Sequence, residues 1–462
     1  MDGEINTSEL SIAAEAVEAA ARGENDFSLV HLNADLLINI LVRLPPEKSV
    51  FCSKLVSKGW CSILENPYFV SRFISHHIND KLRNHYSSYA AAYHKYPPFF
   101  FISRYNDPRL CFFATGADQE ESPKEFTLEF LPQENDINLI VSVKASCNDL
   151  LFCIAKNSDY VITHYYICNP FTRQWSVLPP PLIRTTTKRI YFGLVCQPNY
   201  QRWIQGQQYE SRFRLVRFIE VEEHHVAVDL YCSETGQWNE SFLVGAQYDF
   251  IFTNVLAHDG KLHWYNGRDV VAYDPFNDGQ TIFIDGSQFK GRTPLPDVIL
   301  NNPDRLILRV VNFRLGECRG LLRFMQIITN SYRSDSNDHL SVWELKDNET
   351  RGFSLVHVIS FDNMFSKEPW VRDFVKSENR VNARALAFHP ENKNVVYLGF
   401  LYHIISCNIR TGELEVIDGI PYEHKFCALE NVFGIKQPWW PTPVSTSSHP
   451  LNALLHYFWF NR

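Results

Sequence analysis

Residues Leu32 to Leu64 read LNADLLINILVRLPPEKSVFCSKLVSKGWCSIL. Leu32, Leu36, Leu37, Ile40, Leu41 and Leu44 recur at helical spacing, which places them on one face. Asn33 is suited to cap the helix by accepting from its free N–H groups, and Asp35 stands in the first turn, where the helix dipole favours a negative charge. Leu32 and Leu37 occupy the two positions of a hydrophobic staple. Pro45-Pro46 stops the helix, because proline lacks an N–H and disfavours helical geometry in the residue before it. A second helical stretch is expected around Val50 and Phe51. A third carries Val56, Trp60, Ile63 and Leu64 and ends at Asn66-Pro67. Three short helices cannot bury so much Leu, Val and Trp among themselves, so the surplus apolar face asks for a partner inside or outside the chain.

Working outward, residues 1–26 are rich in Ala and Glu and carry a net charge of −6 out of −8 for all 462 residues. We read them as a disordered acidic tail. Residues 27–75 form the helical unit and 76–98 a connector ending in Pro97-Pro98. From Phe99 to about residue 440, short apolar runs are punctuated by Gly, Pro, Asn and Asp, the pattern of strands and turns. His225–Cys232 alternates, with Val226, Val228, Leu230 and Cys232 on one side and Ala227, Asp229 and Tyr231 on the other. Leu150–Ile154, Tyr160–Cys168, Phe213–Val221, Ser341–Leu345, Val395–Leu401 and Leu414–Ile417 also read as strands. Residues 441–462 are read as a C-terminal tail.

A loose repeat runs through this β-rich region: a strand, a polar turn, then an apolar or aromatic residue. It appears as Asn169-Pro-Phe-Thr-Arg-Gln-Trp175, Ser233-Glu-Thr-Gly-Gln-Trp238, Asp274-Pro-Phe-Asn277 and Arg410-Thr-Gly-Glu-Leu414. The spacing suits one four-stranded blade per repeat with insertions, as in a β-propeller; a β-sandwich with long loops is the runner-up. The fold class expected is therefore a small N-terminal helical unit followed by a mostly-β domain.

Composition restricts the function. Apart from the tail the chain is nearly neutral, without the basic field of a nucleic-acid binder. No run of eighteen apolar residues suggests a membrane span, and no signal peptide is read at the start. The eleven cysteines include no C-x-x-C pair and suit free thiols in a reducing compartment. The motifs G-x-S-x-G, H-E-x-x-H, P-loop and G-x-G-x-x-G are absent. His76-His77 and His224-His225 are adjacent pairs; neighbours on a strand face opposite sides and chelate one ion poorly. His258 and His263 flank a turn with Asp259 and read as ordinary histidines before metal ligands. Cys147 and Cys153 read as core thiols. No feature pairs two carboxylates for acid–base work. Trp175, Trp238, Trp264 and Trp343 at repeat positions read as structural. Arg202, Arg212, Arg214 and Arg217 around Trp203 read as a solvated strand face before an anionic-peptide site. No catalytic residue, cofactor or metal is expected.

The opening stretch resembles the F-box. That family usually shows an acid followed by two apolar residues, then Ile-Leu-x-Arg-Leu-Pro, a Ser-Val or Ser-Leu, and Val-Ser-Lys-x-Trp. Here these are Asp35-Leu36-Leu37, Ile40-Leu41-x-Arg43-Leu44-Pro45, Ser49-Val50 and Val56-Ser57-Lys58-x-Trp60, in one register. Asn33 and Asn39 stand where the family usually has Pro and an acid. The β-rich region resembles the F-box-associated, kelch-like propeller domain of plant F-box proteins. The matching stretches are Ala145-Ser-Cys-Asn-Asp-Leu-Leu-Phe-Cys153, Ile167-Cys-Asn-Pro-Phe-Thr-Arg-Gln-Trp175 with Leu178-Pro179, and Asp259-Gly-Lys-Leu-His-Trp264. Asp149 takes a place that is usually Gly, and we expect it to tolerate the left-handed backbone of the turn.

The resemblance implies a non-catalytic substrate receptor of an SCF-type cullin–RING ubiquitin ligase, in the nucleus or the cytoplasm. Leu32, Leu36, Leu37, Ile40, Leu41, Leu44, Pro45, Val50, Val56 and Trp60 would form or support the surface that docks a Skp-type adaptor and, through it, cullin. The β-rich domain would hold a target protein whose identity the sequence does not give; nucleic acid and membrane are not expected partners. A non-ligase F-box scaffold and, behind it, a propeller-fold enzyme are the alternatives.

Overall fold

A computed structural model of the chain describes residues 34–44, 53, 56–66, 68–73, 76, 99–104, 107–113, 125–132, 139–159, 161–181, 190–198, 211–222, 225–243, 255–267, 269–286, 309–330, 339–345, 352–365, 383–390, 392–400, 403–419, 431–435, 442 and 444. The expected acidic tail, the Asn33 cap, the Pro45-Pro46 stop and the helix around Val50 lie outside these residues, as does nearly all of the connector. Helix α1 (Ala34–Leu41) and helix α2 (Lys58–Glu65) form where the apolar spacing predicts them. The Ser57 hydroxyl caps α2 by accepting the Trp60 N–H at 3.1 Å. Asn66 ends α2, and its side-chain oxygen accepts the Tyr68 N–H at 2.9 Å, starting the helical stretch 68–73. That stretch was not read from the sequence.

The β-rich region is a propeller of six four-stranded antiparallel sheets among the described residues. Blade 1 contains β1 (Phe99–Arg104), β2 (Asp107–Phe113) and β3 (Glu125–Thr127). Blade 2 is β4 (Ile140–Cys147), β5 (Leu150–Lys156), β6 (Ile162–Asn169) and β7 (Gln174–Leu178). Blade 3 is β8 (Ile190–Pro198), β9 (Ser211–Glu222), β10 (His225–Cys232) and β11 (Gln237–Phe242). Blade 4 is β12 (Leu256–His258), β13 (Lys261–Tyr265), β14 (Val270–Asp274) and β15 (Gln280–Ile284). Blade 5 is β16 (Arg309–Cys318), β17 (Leu321–Asn330), β18 (His339–Leu345) and β19 (Phe353–Ser360), followed by the short helix α3 (Phe361–Phe365). Blade 6 is β20 (Ala383–Phe388), β21 (Val395–Phe400), β22 (His403–Asn408) and β23 (Leu414–Gly419). The last strand, β24 (Asn431–Ile435), pairs with β1 from Phe99↔Ile435 to Ser103↔Asn431 and completes blade 1. Six separate sheets replace the runner-up sandwich, which would place two larger sheets face to face.

Alternating side chains give blades 2 to 6 apolar faces that they share with a neighbouring blade. Ile405, Leu398 and Met325 fill the space between blades 5 and 6, Tyr265, Phe313 and Phe324 that between blades 4 and 5, and Phe218 and Trp264 that between blades 3 and 4. Leu194, Leu215 and Phe152 lie between blades 2 and 3. A further cluster joins Ile435 and Phe433 of β24 to Leu151 and Tyr166 of blade 2, and continues through Leu128 and Leu131 into the helical unit. Trp264 and Trp343 are buried, and the Trp238 indole donates to the Pro179 carbonyl at 2.8 Å, as structural tryptophans would.

The repeated motif is the turn between the third and fourth strands of blades 2, 3, 4 and 6. Asn169 Oδ1 accepts the N–H groups of Phe171 and Thr172, Asn408 Oδ1 those of Arg410 and Thr411, and Asp274 Oδ1 that of Phe276. These are Asx turns, closed by a side chain that imitates a backbone carbonyl. In the β4–β5 turn the left-handed residue is Asn148, with φ 52°, and Asp149 does not share that conformation. This corrects the expectation for Asp149, which is instead buried. Arg217, expected on a solvated face, is also buried; it pairs with Asp229 directly across β9 and β10, Nε to Oδ2 at 2.8 Å. Arg212 and Arg214 share the one carboxylate of Glu234, so part of that basic stretch is neutralised in place; Arg202 and Trp203 lie outside the described residues.

Two predictions follow from these inter-blade contacts. A Cβ on Gly316 would lie 2.5 Å from the ring of Phe388, itself buried in blade 6, whereas one on Gly434 would meet nothing within 4 Å. Gly316→Ala is expected to cost about 1–3 kcal/mol in urea unfolding, and Gly434→Ala far less; equal losses would refute the close approach. Buried His263 in blade 4 is held down to about 3, chiefly by burial and then by His258 and Lys261. Its neutral form is therefore favoured by folding, and its contribution is present above the ordinary value of 6.5 and lost as pH falls toward 3. Thermal melts at stepwise lower pH should show His263→Phe losing stability less steeply than the parent chain below pH 6.5.

Candidate functional site

The helical unit separates its apolar residues into two groups. Leu37, Leu41, Val42, Trp60, Leu64, Phe69, Val70 and Phe73 are buried in its core, with the rings of Phe69 and Phe73 stacked at 5.9 Å. Leu36 on α1 remains 54% exposed, Val56 just before α2 46%, and Tyr68 52%. Ile40 and Leu44 are half-buried. Of the ten residues expected to form or support a docking surface, Leu36 and Val56 therefore face solvent and Leu37, Leu41 and Trp60 are internal. Leu32, Pro45 and Val50 lie outside the described residues. Spacing alone puts Leu36, Leu37, Ile40 and Leu41 on one broad face; it does not show how the 68–73 helix and the loop at 128–131 divide that face.

Polar contacts fix the same unit. The Arg72 guanidinium donates to Asn39 Oδ1 at 2.9 Å and lies 5.7 Å from the centre of the Tyr68 ring. Asn39, one of the departures from the usual F-box pattern, thus ties α1 to the 68–73 helix. Lys58, Cys61, Ser62 and Asn66 line a recess at α2. Asp35, Arg43 and Lys58 are exposed charged residues on the same unit.

In the propeller, titratable groups are spread among different inter-blade spaces. His258 Nδ1 lies 3.0 Å from Glu317 Oε2, joining blade 4 to blade 5, and the His263 ring is 5.6 Å from that of His258. Among the described residues no three His, Cys, Asp or Glu side chains come together as a metal site would require. Asp149 of blade 2 is wholly buried, and burial pushes its carboxyl up to about 6, against the pull of hydrogen bonds from Thr442 and Asn169. Cys153 and Cys168 lie 3.9 Å apart in the interior, and their mutual hydrogen bond and burial hold the Cys168 thiol well above its usual range. Of the two thiols expected in the core, Cys153 is buried, whereas Cys147 is only partly buried and its sulfur accepts the Cys196 N–H at 3.1 Å. Asp149 and Thr442 escaped the sequence reading because their residues are 293 positions apart; the only local signal was an acid in a turn position that the family usually fills with Gly.

Comparison with known proteins agrees with this architecture. Residues 112–434 match the family described as "F-box protein At3g26010-like, beta-propeller". F-box protein At3g26010 of Arabidopsis thaliana is 23% identical over 413 residues, covering 87% of this chain and 83% of that protein. F-box protein At5g07610 of the same plant is 24% identical over 360 residues, covering 77% of this chain and 76% of its own length. A shorter match, 54% identical over 44 residues, links 10% of this chain to 15% of F-box only protein 8 of A. thaliana. No helix among the described residues is long and apolar enough to cross a membrane. With six sheets closed by β24 and a match that spans most of the propeller, the chain belongs to the family of F-box proteins with an At3g26010-like β-propeller.

Proposed function

We propose that the chain is the substrate-recognition subunit of an SCF-type cullin–RING ubiquitin ligase, working in the nucleus or the cytoplasm. The helical unit binds a Skp-type adaptor, and the propeller holds a target protein. The observation that carries this reading is the pair of exposed apolar side chains, Leu36 and Val56, left on a unit whose own core is already complete without them. Burying such a side chain against a partner contributes about 1.5–3 kcal/mol. The half-buried Ile40 and Leu44 add apolar surface on the same unit.

In this reading the chain performs no bond chemistry of its own. It holds a target near a charged ubiquitin-conjugating enzyme and so replaces a bimolecular encounter by a high effective concentration. Family membership supports the receptor role, and the exposed pair supports the adaptor contact.

The experiment is co-purification of adaptor and cullin with the full chain and with the double variant Leu36→Asp, Val56→Asp. Both positions face solvent, so the variant should melt nearly as the parent does. Each carboxylate would be buried without a partner in the proposed interface, and adaptor recovery should fall at least tenfold. Leu41→Asp is unsuitable, because Leu41 is internal and its replacement would unfold the unit. Failure of the parent chain to recover a Skp-type adaptor, or equal recovery by the variant, would overturn the proposal.

A further inference from the structure

Beyond β24, Thr442 and Val444 return to blade 2 and are held there much as a bound peptide would be. The Thr442 N–H donates to Asp149 Oδ2 at 2.7 Å, and the Thr442 carbonyl accepts from Asn169 Nδ2 at 3.1 Å. The Val444 N–H donates to Gln174 Oε1 at 3.3 Å. Asn169 Nδ2 also donates to Asp149 Oδ2 at 2.7 Å, which aligns the two receiving side chains. The Val444 side chain is buried beside Ala145, Leu178 and Leu194, in the core between blades 2 and 3. Propeller side chains thus address main-chain groups, while one apolar pocket takes a small side chain two residues further on.

The sequence of the occupant fits this arrangement. It reads Pro441-Thr-Pro-Val444. Prolines have no N–H, so the only main-chain donors in these four residues are those of Thr442 and Val444, and both are used. A residue before proline favours extended backbone. Fixed proline torsions also reduce the freedom lost on docking. Nothing in the contacts requires the occupant to be covalently part of this chain.

We propose that Asp149, Asn169 and Gln174, with the apolar pocket between blades 2 and 3, form a binding slot for an extended, proline-punctuated peptide; the chain fills it with its own Thr442 and Val444, and the slot opens to such a peptide in trans when they leave. The site shares no residue with the proposed adaptor surface. Closure buries the Asp149 carboxylate, whose Oδ1 meets no hydrogen-bond partner among the described residues. The titratable groups beside it are the thiols of Cys147 on β4 and Cys196 on β8, with Cys196 held well above its usual range by burial and by Cys147. Arg173, in the turn that carries Asn169, has its charge interaction with Glu129. Thr442, Asn169 and Gln174 are neutral. A proton on Asp149 therefore favours the closed slot. With the carboxyl at about 6 when closed and lower once the slot is open to water, closure is favoured at low pH and weakens as pH rises through 6.

Two measurements on the full chain test this. In hydrogen exchange, the Thr442 and Val444 amides should open ahead of those of β5 and β6, and their opening constant should rise about tenfold between pH 5 and 7.5. Exchange of these amides only together with β5 and β6 would overturn the proposal. In the second, Val444→Asp releases the occupant, and a fluorescently labelled peptide of residues 438–448 is titrated into the folded variant. The peptide should bind at least tenfold more tightly than to the parent chain, and adding Asp149→Ala should abolish the gain. No binding by the folded variant, or binding indifferent to Asp149→Ala, would equally overturn it. If Val444→Asp does not fold, the exchange measurement on the parent chain decides.

Discussion

The pairing of β24 with β1 is the contact on which the rest of the propeller depends. It joins strands from opposite ends of the β-rich sequence, so it must offset the entropy of closing a loop of some 300 residues, on the order of 5 kcal/mol for an ideal chain. Backbone hydrogen bonds alone would scarcely do so. The closure is reinforced because Ile435 is buried against blade 2, the Gly434 carbonyl accepts the Ser146 hydroxyl at 2.9 Å, and Arg314 of β16 donates to the Val432 carbonyl. One five-residue strand thereby touches its own blade, the next blade and a blade farther round the ring. Burial pulls the Arg314 guanidinium down to about 10, still well above neutral pH, so this tie keeps its charge.

Much of the fold was legible because its signals are local. An Asn or Asp that closes an Asx turn acts within a few residues, which is why the motifs at Asn169, Asp274 and Arg410 mark equivalent turns in different blades. The strand at His225–Cys232 alternates cleanly, since its two faces serve different neighbours, blade 4 through Val226 and Val228 and blade 2 through Tyr231. The long β16–β17 hairpin was not read as strands. Arg314, Arg323 and Gly316 interrupt its apolar pattern, and each looks like a loop residue until a distant partner is known. Arg323 finds Glu344 at 2.8 Å and the Lys393 carbonyl at 2.7 Å, and Gly316 makes room for Phe388.

The helical site was half legible for a related reason. Apolar spacing finds a helix and its wet or dry sides, but this unit meets more than one neighbour. Its inner side continues into Leu128 and Leu131 of the propeller, and only the remainder, at Leu36 and Val56, faces outward. Adjacent residues Leu36 and Leu37 thus have opposite fates although both are leucine. Asn39 was similarly opaque, because its partner Arg72 lies on a helix that the sequence did not announce.

That continuity of apolar contact from α1 to blade 2 has a thermodynamic consequence. Where two parts of a chain share one cluster, neither can unfold without exposing surface of the other, so they form a linked system. A ligand gripping the outer side of the helices adds RT ln(1 + [L]/Kd) to the stability of the native state, about 2.7 kcal/mol at a hundredfold excess over Kd. Through the cluster that runs from Leu41 and Trp60 to Leu151 and Tyr166, the propeller shares in it. Copies of the chain without such a ligand lack this increment, in the helical unit and the propeller alike.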